Sequence, residues 1–367
     1  MTRSTQLAAQ MHSSSRWART NVAPSEACAR GLPGGDRVDP FTHVLAGIVV
    51  GGLCDADGIG LAVAAAGALA PDAEFLTRRI PRTAFLDYHH GIVHTLPGGL
   101  IAGLLIAVAG GLLSGREWLS LLPLALGGVA SHVCLDLLMH NNGIALLAPF
   151  RRRRFSFPVV LGLNPVTAST RCRERRYGTC LQCQASGLRF NPFFWTLLTA
   201  AVACIAVPQL GRVWGILTLS ILFGLILYSN RMRMAALAVT GNGEHAVRRK
   251  AFPASFGMAR WLVLCEGGDE FHAALADGRA RRVLWERRMP KRLPPPPVKA
   301  SERLLSVRGF KNSVMFPYWT WHKVDGVDHV AWSDLSYLFA EHVELYTLHL
   351  KMDEGGQLLQ NEFHERW

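Results

Sequence analysis

Two ionisable side chains stand near the end of one long apolar run, and they constrain the fold more than any other feature. The run extends from Trp118 to Met139 and contains His132 and Asp136. Residues four apart lie on the same face of a helix, so the imidazole and the carboxylate project together. Such groups are costly in hydrocarbon and typical of functional sites, and this spacing suits two ligands of one divalent metal ion. A structural alternative is a polar contact that orients neighbouring helices.

Three other polar clusters interrupt or flank apolar runs in the same way, at 39–43, 71–74 and 89–95. The apolar run 44–70 is broken by Asp55 and Asp57, which favours two short helices and a turn over one span. That hairpin returns the chain to its starting side, so we expect His43 and Asp72 to lie together. Asp72 could instead cap the N-terminus of a helix.

Longer apolar runs predict spanning helices, at 96–113, 118–139, 193–207 and 213–228. If the first two helices pair as an antiparallel hairpin, His94 lies on the same side of the membrane as His132 and Asp136. Half of the residues are hydrophobic and only 18% are charged, which is typical of a membrane protein. We therefore predict an all-α polytopic membrane protein, with about four spanning helices plus a short helical hairpin, and a small β-rich C-terminal soluble domain.

The chain divides into three parts by composition. Residues 1–37 are polar and lack the apolar core of a signal peptide, so we expect a disordered or wrongly included N-terminal extension and a true start at Val38. Residues 38–235 form the predicted membrane-embedded metal-site domain. Residues 236–367 form a predicted cytoplasmic β-rich domain, with strands at 260–265, 304–316 and 336–350 and a stiff polyproline connector at 294–297.

Arginines are concentrated on the side of the polar clusters. This side holds Arg78, Arg79, Arg82, Arg231 and the run 151–154, whereas the opposite loops hold only Arg116 and Arg212. The positive-inside rule then predicts that the site and the C-terminal domain face the cytoplasm. The formal charge of +12 is compatible with nucleic-acid binding. Because the arginines adjoin apolar segments, we expect membrane lipid as a partner and no nucleic acid.

The motifs resemble those of the YdjM-type membrane-bound metal-dependent hydrolases of bacterial inner membranes. The resemblance rests on Asp-Pro-Phe-Thr-His (39–43), Pro-Asp-Ala-Glu (71–74), His-His-Gly-Ile-Val-His-Thr (89–95), Ser-His-Val-Cys-Leu-Asp (131–136) and Leu-Leu-Ala-Pro-Phe (146–150). It is specific over 38–155 and looser beyond. It implies a metal site made by His43, Asp72, His89, His94, His132 and Asp136. Glu74 and His90 depart from the family pattern, which leaves open whether His89 or His90 is the ligand.

This ligand set exceeds the needs of one tetrahedral zinc ion, so we expect one or two divalent ions, zinc first and manganese as an alternative. Such ions activate water for hydrolysis. Glu74 and Asp72 are the expected catalytic carboxylates, with Glu74 as general base. The order of the motifs also resembles that of zinc-dependent phospholipase C enzymes. The predicted function is a hydrolase at the cytoplasmic membrane face, acting on a lipid or phosphoester. The alternative is a non-enzymatic membrane protein that binds or transports metal.

Overall fold

The computed structural model describes residues 40–72, 93–139, 143–151, 153–160, 192–241, 246–254, 258–340, 343–344 and 346–365. The predicted N-terminal extension, 1–37, and the expected start at Val38 lie outside these residues. Glu74, His89 and His90 do so as well.

The first part of the described chain is helical. Its α-helices are α1 Pro40–Leu53, α2 Gly58–Leu69, α3 Leu96–Ser114, α4 Trp118–Met139, α5 Pro192–Ala206 and α6 Gly211–Val239. A 3-10 turn, Pro208–Leu210, joins the last two. In the described part of the chain, three helical segments are long and apolar enough to cross a membrane: α3, α4 and Pro208–Val239. The remaining expected span, α5, has 15 residues.

Side-chain caps define two of the helix starts. Asp57 stands at the turn between α1 and α2, and its carboxylate accepts a hydrogen bond from the Gly60 N–H at 3.0 Å. The Thr95 hydroxyl likewise accepts from the Gly98 N–H at 3.1 Å, at the start of α3. Each bond satisfies a backbone donor that has no partner within the helix. The polar residues that break the apolar runs therefore also set the helix boundaries.

Helix α4 packs against α1, α2 and α3. Its contact with α2 is a backbone contact, because a Cβ atom at Gly128 would lie 2.1 Å from the Ala64 carbonyl oxygen. A Cβ atom at Gly67 would lie 2.3 Å from the Ala125 carbonyl oxygen. Small residues at such crossings let two helices approach closely within a membrane. The C-terminal halves of α2 and α4 are thereby held side by side.

The second part of the described chain is rich in β-structure, which confirms that part of the predicted fold. One antiparallel sheet has the order β1 Arg248–Pro253, β2 Arg260–Glu266, β3 Glu270–Asp277, β4 Arg282–Pro290. Between the sheets lie α7 Pro296–Ser301 and α8 Leu305–Ser313. The strands that follow are β5 Pro317–Val324, β6 Val327–Asp334, β7 Leu338–Ala340, β8 Val343–Glu344, β9 Tyr346–Met352 and β10 Leu358–Glu365. The second antiparallel sheet has the order β10-β9-β6-β5, and β7 pairs with β8.

The first sheet packs directly on the helices. Ala236 of α6 shares one buried hydrophobic cluster with Trp261 and Val263 of β2 and with Val159 and Val160. The second sheet has a separate core with α7 and α8, in which the Trp332 indole N–H donates to the Ser301 hydroxyl at 3.0 Å. The β-rich region is therefore anchored to the helices through its first sheet.

One expectation for this region was wrong, and a second holds for part of its range. The stretch 304–316 was expected to be a strand, but it contains α8. Ser306, Phe310 and Ser313 are buried there, and this spacing of four and three residues is that of a helix face. In the expected polyproline connector 294–297, Pro295 has the extended backbone of such a segment, whereas Pro296 and Pro297 lie in the first turn of α7. Proline is tolerated there because the missing N–H would have no helical partner.

Candidate metal centre

Five buried polar side chains meet at one end of the helical region. His43 lies in the first turn of α1, His94 directly precedes the cap of α3, and His132 and Asp136 lie in the last turns of α4. Asp72 lies in the 3-10 turn that follows α2. Their exposed fractions run from 0% for His132 to 7% for Asp72. Asp72 thus follows α2, and the alternative that it caps the N-terminus of a later helix concerns residues outside the described part of the chain.

His132 is at the centre of this group. Its Nε2 atom lies 3.1 Å from Asp136 Oδ2, 3.2 Å from His94 Nε2 and 3.7 Å from Asp72 Oδ1. The His43 ring stacks on the His132 ring with 3.8 Å between centroids. The Asp136 carboxylate reaches two further histidines, with Oδ1 3.4 Å from His43 Nε2 and Oδ2 3.3 Å from His94 Nε2. All five side chains are thus linked through His132 and Asp136.

The tautomer of His132 follows from its other ring nitrogen. Nδ1 lies 2.7 Å from the Ala68 carbonyl oxygen, which can only accept a hydrogen bond. Nδ1 therefore carries the proton and donates it, and in the neutral ring Nε2 keeps its lone pair. That lone pair faces the oxygens of Asp136 and Asp72. A histidine held in this way by a backbone carbonyl is typical of metal ligands.

The distances between ligand atoms fit a metal ion. His132 Nε2, His94 Nε2 and Asp136 Oδ2 form a triangle with edges of 3.1 to 3.3 Å. Donor atoms at about 2.0–2.1 Å from a tetrahedral zinc ion are roughly 3.3 Å apart. Two sets of three ligand atoms each lie within 4.8 Å of one another: His43, His132 and Asp136, and Asp72, His94 and His132. These residues can therefore hold a divalent ion.

The structure brings together five of the residues expected at the site, and three others lie outside its described part. His43, Asp72, His94, His132 and Asp136 converge. The expected ligand His89, its rival His90 and the expected base Glu74 are not among the described residues. Their roles remain predictions.

Sequence reasoning missed two backbone features of the site. One is the Ala68 carbonyl, which orients His132. The other is the segment 143–160, which closes the same end of the helices. In this segment the Phe157 N–H donates to the Leu137 carbonyl at 2.9 Å, and the Leu146 carbonyl accepts from the Leu96 N–H at 2.9 Å. Nearly every residue has the same backbone groups, so the sequence does not show which of them contact the site. Only the three-dimensional arrangement of the helices does so.

Comparison with known proteins gives one match. The model of the family described as YdjM inner membrane protein matches residues 38–239. This range covers more than half of the chain and includes all five residues of the cluster. No curated protein and no solved structure matches the chain.

Proposed function

Because the chain belongs to the YdjM inner membrane protein family, we propose that it is a multi-pass, metal-dependent hydrolase of a bacterial inner membrane. The family match confirms the resemblance found in the motifs. The reaction is our inference, and one observation carries it: three histidines and two aspartates lie buried with their ligand atoms converging. The proposed substrate is a lipid or a phosphoester, hydrolysed at the cytoplasmic face.

The donor set favours zinc, with manganese as the alternative. Imidazole nitrogens with carboxylate oxygens are typical zinc ligands, and carboxylates also suit manganese. The described residues that would hold the metal are His43, Asp72, His94, His132 and Asp136. Since Asp136 directs one oxygen to His43 and the other to His94 and His132, its carboxylate suits either one ion or a bridge between two. His89 is the proposed additional ligand.

A bound divalent ion would lower the pKa of a coordinated water and polarise a phosphoryl or carbonyl oxygen. The chain's own residues would orient the ligands and accept the proton. The Ala68 carbonyl holds the His132 ring so that Nε2 faces the cluster. Asp72 is the most exposed of the five side chains. We assign Asp72 and Glu74 as the catalytic carboxylates, with Glu74, two residues further along, as general base.

The proposed topology has four spanning helices, α3 to α6, and a short hairpin, α1 and α2, that does not cross. A bilayer core of about 30 Å needs about 20 helical residues. Helices α3, α4 and the segment Pro208–Val239 meet this length. The 15 residues of α5 would span with the help of the residues on either side.

The arginines support a cytoplasmic orientation of the cluster. Arg151, Arg153 and Arg154 follow α4 at the end where the cluster lies, and Arg231 and Arg233 lie in the last turns of α6. At the opposite end, Arg116 pairs with Asp57, and its hydrogen bonds lower the pKa of that carboxyl. Arg212 pairs there with Asp55. The excess of arginine on the side of the cluster is what the positive-inside rule associates with the cytoplasm.

The rival function is a membrane protein that binds or transports metal without catalysis. A conduit needs polar side chains along the depth of the helices. The described residues of α1 to α6 hold two buried polar side chains besides the cluster and its neighbours Thr42 and Thr95. These two are Thr218 and Ser229. Thr218 bonds to the Trp214 carbonyl of its own helix, and Ser229 bonds to the Val159 carbonyl. The polar groups are concentrated at one end, which favours hydrolysis.

The proposal is tested by hydrolysis assays on detergent-purified protein loaded with zinc or manganese. The substrates are phospholipids in mixed micelles and a chromogenic phosphodiester. Glu74→Gln should keep the metal and lose about 10²- to 10⁴-fold in kcat, the usual contribution of a general base. Glu117→Gln, at an exposed position in the loop at the opposite end, is the matched control and should retain activity. Metal-loaded protein that hydrolyses none of these substrates would favour the rival function.

A further inference from the structure

A group of cationic side chains lies where the segment 143–160, α6 and β1 meet. The Arg233 guanidinium lies over the Phe157 ring at 5.1 Å, and the Arg153 guanidinium lies over the Phe155 ring at 5.7 Å. Burial lowers the pKa of the Lys250 ammonium, and the charges of Arg248, Arg233 and Arg153 lower it further. Three separate elements thus direct positive charge to one place.

One of these cations has an acidic partner. Arg248 forms an ion pair with Glu266 at 2.8 Å. For Arg153, Arg233 and Lys250 the described part of the chain supplies no carboxylate partner. Lys250 is half-buried, and the Nε atom of Arg233 is buried with no hydrogen-bond acceptor among the described residues. Because partly buried like charges repel strongly, this arrangement favours a bound anion.

The cationic group lies at the membrane end that carries the metal cluster. The Phe157 N–H donates to the carbonyl of Leu137, the residue that follows Asp136. The same elements expose large apolar side chains: Phe150 at 84% and Phe157 at 44% in the segment 143–160, and Met234 at 57% next to Arg233 in α6. Cations beside exposed aromatic rings are typical of the boundary between lipid headgroups and hydrocarbon.

We propose that Arg153, Arg233 and Lys250 form a binding site for the phosphate of an anionic phospholipid headgroup. Guanidinium groups bind phosphate oxygens in pairs, and an ammonium adds a point charge. Phe150 and Phe157 lie against the acyl chains of the same lipid. This site is distinct from the metal cluster, and lipid binding there needs neither metal nor hydrolysis. Its test is therefore independent of the proposed function.

The test is a lipid titration of the full-length protein in detergent, monitored by thermal unfolding. Phosphatidylglycerol should raise the melting temperature, whereas phosphatidylcholine should not. The double variant Arg233→Gln/Lys250→Gln should bind phosphatidylglycerol roughly 30-fold more weakly. Each basic residue near an anionic surface contributes about 1 kcal/mol of binding free energy, and the loss of two therefore corresponds to roughly 30-fold in Kd. Arg282→Gln/Arg303→Gln removes the same charge at exposed positions elsewhere and should bind as the wild type does.

Three results would overturn the proposal. They are unchanged phosphatidylglycerol binding in the double variant, equal binding of phosphatidylcholine, and full competition by inorganic phosphate at the same concentration, which would indicate a site for free phosphate. Should the double variant fail to fold, Arg153→Gln provides the test, because Arg153 is exposed and its replacement leaves the core intact. That single variant should weaken phosphatidylglycerol binding several-fold.

Discussion

His132 uses both ring nitrogens, and its contacts join several segments of the chain. Nδ1 donates to the Ala68 carbonyl, and Nε2 faces Asp136, His94 and Asp72. A residue of α4 is thereby tied to the backbone of α2 and to side chains of two further segments. The cluster is consequently an arrangement of several helices and cannot form within α4 alone.

Asp334, in the β-rich region, is a buried carboxyl for which the described residues supply no basic partner. Burial raises its pKa, although its Oδ1 accepts hydrogen bonds from the Ser336 N–H at 2.9 Å and the Phe316 N–H at 3.3 Å. The folded protein therefore holds this proton more tightly than the unfolded chain does. The stability that results is present below the unfolded pKa of about 3.9 and is lost as the pH rises through the folded value.

We expect Asp334→Asn to remove this pH dependence. The amide oxygen can keep both accepted hydrogen bonds, while the charge that burial disfavours is gone. Relative to the wild type, the variant should become more stable as the pH rises above about 4. Thermal unfolding followed by circular dichroism from pH 4 to pH 8 measures the difference. A difference that does not change with pH would contradict this expectation.

The five described side chains of the cluster could be selected from the sequence because each interrupts or ends an apolar run. The spacing of His132 and Asp136 predicted a shared helix face, and both side chains are buried on α4. The orienting partner of His132 could not be selected, because Ala68 contributes only its carbonyl. The choice between His89 and His90 stays open, since adjacent histidines have the same chemistry.

At the scale of elements, the crossing of α2 and α4 positions the site. Gly67 and Gly128 allow the two backbones to touch, and Asp72, in the turn after α2, then lies 3.7 Å from His132 of α4. Any added atom at this crossing must push the helices apart. The glycines are therefore positioning residues for a cluster they do not touch.

Gly128→Ala should separate α2 from α4. The new methyl group would meet the Ala64 carbonyl oxygen at 2.1 Å, and overpacking of this kind costs about 1–3 kcal/mol. We expect a lower melting temperature and weaker metal binding. Gly224→Ala, on α6, is the matched control, because a methyl group there meets nothing within 4 Å. Equal melting temperatures and equal metal binding in the two variants would contradict the role of this crossing.

The elements themselves could be predicted from the sequence to different degrees. Helices α3 and α4 follow closely from the lengths of their apolar runs, because both are bounded by polar residues and turns. Helix α8 could not be predicted from the length of an apolar run. Its Phe310 and Val307 occur among serines and glycine, so the pattern of apolar residues resembles a strand until tertiary contacts show which face is buried.

At the scale of the whole molecule, the proposed orientation in the membrane can be tested through Cys54. Cys54 is exposed at the turn between α1 and α2, at the end opposite the cluster. A membrane-impermeant maleimide should label Cys54 in cells whose outer membrane alone is permeabilised, and Cys54→Ser should lose that label. A fluorescent protein fused after Trp367 should fluoresce, as expected in the cytoplasm. Labelling of Cys54 only after the inner membrane is opened would contradict this orientation.

Metal binding by the His and Asp cluster is tested most directly by the metal content of the purified protein. Wild-type protein, expressed in metal-replete medium and purified in detergent, should carry one or two equivalents of zinc or manganese by mass spectrometry. Asp136→Asn and His132→Asn should each lower the metal affinity by more than the roughly 10- to 100-fold that is lost when a residue that only orients a ligand is replaced. His329→Asn, in the second sheet, should keep the metal. Metal-free wild-type protein, or full occupancy in both cluster variants, would contradict metal binding by the cluster.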